Sequence, residues 1–146
     1  LSSDVRSMEI NPAAGIYDTG ELFTEEDLVP DTAKGYMNIP DGELPKFKEG
    51  PFAKFPDFRL AVRHWMAYNA GLGNQGNAEG NVSVSFTVGK DGKAKDAKVE
   101  NRESTSSELE VAALYTIQRL PEFIPATQNG KPVAFRMTVA LRFENR

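Results

Sequence analysis

His64 is the only histidine among the 146 residues, and there is no cysteine. One imidazole without thiolates cannot build a multi-histidine or thiolate zinc site, and disulfides and cysteine nucleophiles are excluded as well. His64 stands in "RHWM" on an expected helix, where a packing or surface role outweighs acid–base work. No Gly-x-Ser-x-Gly nucleophile elbow occurs. "GLGNQG" (Gly71–Gly76) has the glycines of a phosphate loop, but it follows a helix and precedes a strand, the reverse of what a nucleotide site needs. Asp91 in "KDGK" is one carboxylate in a turn, too few for calcium. These residues assign no catalytic group, cofactor or metal, and the chain reads as a non-enzyme.

The chemistry left is that of the main chain. The last stretch, "KPVAFRMTVALRF", alternates strictly. Val133, Phe135, Met137, Val139, Leu141 and Phe143 point one way; Ala134, Arg136, Thr138, Ala140 and Arg142 point the other. Such a pattern demands one buried face. At the edge of a sheet, a strand also offers a row of unpaired N–H and C=O groups to another chain. We therefore take Val133 to Phe143 as the candidate partner-binding element, with Arg136, Thr138 and Arg142 flanking it. The same arginines would equally serve to guard an edge against aggregation.

Other elements must hold that strand. "FPDFRLAVRHWMAYN" (Phe55–Asn69) reads as a helix capped by Asp57, with Phe58, Val62, Trp65 and Met66 at helical spacing. Val82, Val84, Phe86 and Val88 alternate with small polar residues, and "KDG" supplies a turn with Gly92 available for positive φ; the return strand brings Ala97 and Val99 inward. Ser107 followed by Glu110 predicts a capping box for a second helix, with Leu109, Ala112, Ala113, Ile117 and Leu120 as its buried stripe and Pro121 as its stop. Asn129-Gly130 predicts the turn into the last strand. The order helix, strand, strand, helix, strand predicts a two-layer α+β module: a three-stranded antiparallel sheet with two helices on one face. The last strand then lies at an edge.

Composition agrees with a binding module. Hydrophobic residues make up 40% and charged residues 26%, the balance of a globular protein rather than a disordered one. No apolar run approaches the roughly 20 residues of a membrane helix, and no signal-peptide pattern is visible. Residues 1–50 hold 11 acidic and 4 basic side chains; residues 51–146 hold 10 and 13. An acidic extended leader (1–50), punctuated by proline and glycine, precedes a weakly basic domain (51–146) whose charge is far from a nucleic-acid footprint. In the leader, "TEEDLV" suggests a short helical turn capped by Thr24, and "GYMNIP" a short strand. The leader could itself pair with the final strand through Asp4–Ile10 or Gly35–Ile39, capping the domain or swapping it into a homodimer.

In order along the chain, Phe55-Pro56, Asn69, "GNVSVSFTVGKDGK", the helix from Leu109 to Pro121, Phe123, Pro125, "QNGKPV" and "MTVALRF" resemble the C-terminal domain of TonB in its Bacteroidetes-type form, over roughly residues 55–146. The chain departs from that pattern in lacking Tyr-Pro in the loop after the first helix, and in carrying Ala112 and Tyr115 where Glu and Arg are usual. The resemblance implies a periplasmic, cell-envelope protein of TonB-dependent transport. It would bind a peptide of an outer-membrane receptor as an added strand on its last strand. Inner-membrane anchoring is not visible in these residues.

Magnitudes constrain that expectation. Each added main-chain bond contributes about 0.5–1.5 kcal/mol net, while ordering each peptide residue costs about 1–2 kcal/mol. Flanking side chains must therefore supply the affinity. A second reading is an envelope scaffold or sensor ectodomain that reuses the fold without energy transduction.

Overall fold

The computed structural model describes residues 22–70 and 78–144. Helix α1 spans Phe58–Asn69, and the Asp57 carboxylate accepts the Arg59 and Leu60 amides at its start. The helix begins at Phe58, directly after the expected Asp57 cap. Pro56 disfavours helical geometry at the residue before it, and Phe55 is extended after a 3₁₀ turn at Pro51–Lys54. The buried stripe is Phe58, Ala61, Val62, Trp65 and Met66.

Ten strands are described: β1 (Leu22–Thr24), β2 (Val29–Asp31), β3 (Tyr36–Asn38), β4 (Gly42–Glu43), β5 (Lys46–Phe47), β6 (Gly80–Val88), β7 (Ala94–Val99), β8 (Phe123–Ile124), β9 (Ala126–Gln128) and β10 (Lys131–Phe143). β6 and β7 form the expected hairpin, and Gly92 takes φ +82° in its turn. A side chain there would meet the Phe123 carbonyl oxygen at 2.1 Å, so glycine is required by both conformation and space.

Helix α2 spans Ser107–Gln118. The expected capping box of Ser107 and Glu110 does not form. Ser106, one residue earlier, accepts the Leu109 amide, and Glu110 instead pairs with Arg102 at 3.1 Å. Two adjacent serines offer two registers, and the one formed buries Leu109, Ala112, Ala113, Thr116 and Ile117.

The sheet is larger than the three antiparallel strands expected. It has six: the order β4, β9, β10, β6, β7, with β1 also paired to β10. The three expected strands lie together, β10 beside β6 and β6 beside β7, all antiparallel. The turn at Asn129 and Gly130, with φ of 52° and 81°, folds β9 back onto Lys131–Val133. The residues before 51 supply β1 and β4, and β5 pairs with β8. Phe47 of β5 is buried against Phe123, ring centres 4.8 Å apart, and Phe123 in turn packs edge-on against Phe58 of α1. Leu28, Ile39 and Leu44 are buried in the same core as the helices. Both helices pack on the sheet, α1 against β10 and α2 against β6 and β7.

Candidate functional site

β10 is the longest strand, and its two sides are used differently. From Phe135 to Phe143 it pairs with β6 without interruption, down to Gly80. On the opposite side β1 runs parallel to it, with Leu22, Phe23 and Thr24 beside Ala134, Phe135 and Arg136. The strand is therefore not an edge along its whole length, as the sequence suggests, because the leader covers that part of it. The covering segment is neither of those anticipated. Tyr36–Asn38 pairs with Val29–Asp31 instead, and Asp4–Ile10 lies outside the described residues.

β1 ends where Thr24 caps a 3₁₀ turn at Glu25–Asp27. Its hydroxyl accepts the Glu26 amide, and Asp27 accepts the Thr24 amide. That turn carries the chain away from the sheet and leaves the Glu25 side chain behind. One Glu25 oxygen accepts the Thr138 amide at 2.9 Å; the other accepts Arg59 Nη1 of α1 at 3.1 Å. Because the Thr138 amide points away from β6, the alternation of an antiparallel ladder also turns the N–H and C=O of Ala140 and Arg142 outward. Among the described residues no strand pairs with β10 on that side beyond Arg136. The open edge runs from Thr138 to Phe143.

The side chains sort by parity. Val133, Phe135, Met137, Val139, Leu141 and Phe143 are buried in the core, and from Phe135 onward their main-chain groups face β6, so they offer the open edge neither side chain nor backbone. Ala134 is buried as well, on the opposite parity, in the stretch paired with β1. Thr138, Ala140 and Arg142 are exposed beside the open edge. Arg142 is held loosely, by Glu144 and by the Asn81 side chain, each at 3.2 Å.

Arg136 is committed to the sheet. Its guanidinium donates to Thr87 Oγ1 and Ser85 Oγ at 2.7 Å and to the Asp96 carbonyl at 3.1 Å. A bulge in β7 presents that carbonyl: between the pairs Ser85–Lys98 and Thr87–Lys95, Asp96 and Ala97 stand opposite Phe86 alone, and Asp96 takes φ +56°. The Ser85 hydroxyl donates a hydrogen bond to a Glu100 oxygen. That hydroxyl, with the nearby Lys98 and Arg136 charges, holds the Glu100 carboxyl below its usual range. A cleft of about 250 Å³ opens here, lined by Thr24, Glu25, Glu26, Ser85, Glu100, Arg136, Met137 and Thr138. The network was not read from the sequence. Its one signal is Asp96, a residue that tolerates left-handed geometry, inside a short strand.

His64 is exposed and rests against the Phe55 ring, centres 5.0 Å apart. Asp91 accepts the Lys93 amide and binds Lys95, as a turn residue does. Among the described residues no group of three or more His, Cys, Asp or Glu could hold a metal ion, and no helix is long and apolar enough to cross a membrane. Gly71–Gly76 lies outside the described residues.

A search of curated proteins returns no match for this chain. Comparison with protein families matches residues 74–144, from just before β6 to just after β10, to the Gram-negative bacterial TonB protein C-terminal family. The match takes in the hairpin, α2, the Asn129-Gly130 turn and the whole of β10, and it leaves out β1, Glu25 and α1. The match assigns residues 74–144 to the TonB C-terminal domain family.

Proposed function

We propose that this protein captures an extended peptide of an outer-membrane receptor by adding it as a strand to the open edge of β10. The match of residues 74–144 to the TonB C-terminal family supports a coarse role in TonB-dependent transport, as a protein-interaction domain of the Gram-negative envelope. The observation that carries the finer reading is the open edge itself. Past Glu25, the outward main-chain groups of Ala140 and Arg142 meet no strand among the described residues, while the opposite side of β10 is locked to β6. Strand addition supplies main-chain bonds there, and the exposed Thr138, Ala140 and Arg142 side chains supply selectivity.

The window is short. With β1 in place, about two residues offer both main-chain groups, which by the magnitudes above falls short of the ordering cost of a bound peptide. Arg142 is the charged group beside the window, and its exposed partners Glu144 and Asn81 leave it able to turn to a partner carboxylate or carbonyl.

The test is binding of synthetic peptides copied from periplasm-facing segments of outer-membrane receptors, measured by calorimetry with the unmodified protein and with Ala140→Pro. Proline at an outward position removes the donor facing the partner without breaking the β6 ladder. The reading expects micromolar or tighter binding that Ala140→Pro abolishes. No binding by the unmodified protein, or equal binding by the variant, would remove it. The alternative of an envelope scaffold would then stand.

A further inference from the structure

We propose that Leu22–Glu25 is an internal occupant of the partner edge, and that a partner strand longer than the open window displaces it. This rests on the strand-addition reading above and goes beyond it: the docking edge is Ala134–Phe143 when the segment is released, and Thr138–Phe143 when it is seated.

The first ground is position. Thr24 sits beside Arg136 on the side of β10 opposite β6, the side toward which the Thr138 amide points. Glu25 then extends the occupancy by two residues with a side chain in place of a backbone, its carboxylate standing where the carbonyl of an added strand would stand. Segment and partner thus compete for the same donors.

The second ground is how lightly the segment is attached. β1 has three residues and pairs in parallel, the weaker mode. Leu22 is 36% exposed, and Phe23 is only partly buried against the core. The anchor comes immediately afterwards: Leu28 is 7% exposed, and Ile39, Leu44 and Phe47 secure the chain beyond it. The Glu25–Asp27 turn lies between the loose part and the fixed part. Leu22–Asp27 can therefore peel away as a unit while the core keeps every anchor, which is the pattern of a low-stability local opening.

The third ground is the pin. Glu25 is tied to Arg59, whose Nε is buried with no hydrogen-bond partner. Arg59 is thus less than fully satisfied by the seated segment. Release frees its guanidinium beside the vacated edge, where a partner carbonyl or carboxylate can take the place of Glu25.

The chain contains no cysteine, so a disulfide lock is unambiguous. Leu22 and Ala134 are register partners across the parallel pair, a separation a disulfide spans. In Leu22→Cys/Ala134→Cys, the affinity for the receptor peptides is measured by calorimetry before and after oxidation. The proposal expects the oxidised form to bind at least about tenfold more weakly than the reduced form, the effect of losing two or three main-chain bonds. Glu25→Ala, tested separately in case the cysteine pair disturbs folding, is expected to bind about threefold to tenfold more tightly, because the seated state is less favoured. Equal affinity of the oxidised and reduced forms, or weaker binding by Glu25→Ala, overturns the inference while leaving strand addition at Thr138–Phe143 intact. Failure of the unmodified protein to bind any peptide overturns both.

Discussion

The Glu25 carboxylate accepts the Thr138 amide at 2.9 Å across 113 residues of sequence. It is the point where the leader stops covering the last strand. The same carboxylate holds Arg59 at 3.1 Å, with the two side chains 29% and 21% exposed. A charge-assisted bond and a partly screened ion pair together contribute about 1–2 kcal/mol. Denaturant melts of Glu25→Ala are expected to show a loss of that size. The Thr138 amide is expected to exchange with solvent faster, while Met137 and Val139, which face β6, do not change.

The Ser85–Glu100–Arg136 network predicts a titration. Ser85's hydrogen bond, first, and then the Lys98 and Arg136 charges lower the Glu100 pKa. The folded value lies below the unfolded one of about 4.3. The associated stabilisation is therefore full above that unfolded value and is lost as pH falls through the folded one. Carboxyl-carbon NMR is expected to place Glu100 below the ordinary glutamate range in the unmodified protein and nearer to it in Ser85→Ala. An identical Glu100 titration in the two proteins would contradict the network.

Gly92 predicts a stability loss without any loss of side-chain contact. Alanine there takes an unfavourable positive φ and meets the Phe123 carbonyl at a distance no real Cβ tolerates. Gly92→Ala is expected to lower stability by about 2–3 kcal/mol in denaturant melts. The amide of Phe123, which donates to the Gly92 carbonyl at 2.8 Å, should lose protection.

Phe47 tests whether the leader shares the core. It touches Phe52, Phe58 and Phe123, with ring centres 4.8–6.5 Å apart, and is 2% exposed. Phe47→Ala is expected to cost about 3–5 kcal/mol in one cooperative transition. A change below about 1 kcal/mol would mean that the segment packs separately.

Helix α1 and strands β6 and β10 were legible because each carries its own period: 3.6 for Phe58–Val62–Trp65, and 2 for Val82–Val88 and Val133–Phe143. The Asp57 cap, the Gly92 turn and the Thr24 cap were legible because their geometry suits few residue types. The α2 cap was misplaced by one residue, since Ser106 and Ser107 are equivalent in local preference and the core decides between them. The six-stranded sheet could not be read, because strands of two or three residues such as β1, β4 and β9 have no measurable period. They exist only through their partners. The site divides in the same way: Thr138, Ala140 and Arg142 were visible as the outward parity, whereas the commitment of Arg136 depends on a bulge at Asp96 and on Ser85 and Thr87 from a distant strand.

The central claim is that the outer edge of β10 receives a partner strand, and amide hydrogen exchange at Ala140 and Arg142 tests it most directly. In the free protein both amides should exchange rapidly, while Val139 and Leu141, bonded to β6, are protected. With a saturating receptor peptide, Ala140 and Arg142 are predicted to become protected by at least about tenfold, the mark of new main-chain bonds. Saturated binding that leaves both amides exchanging at their free rates would contradict strand addition at this edge.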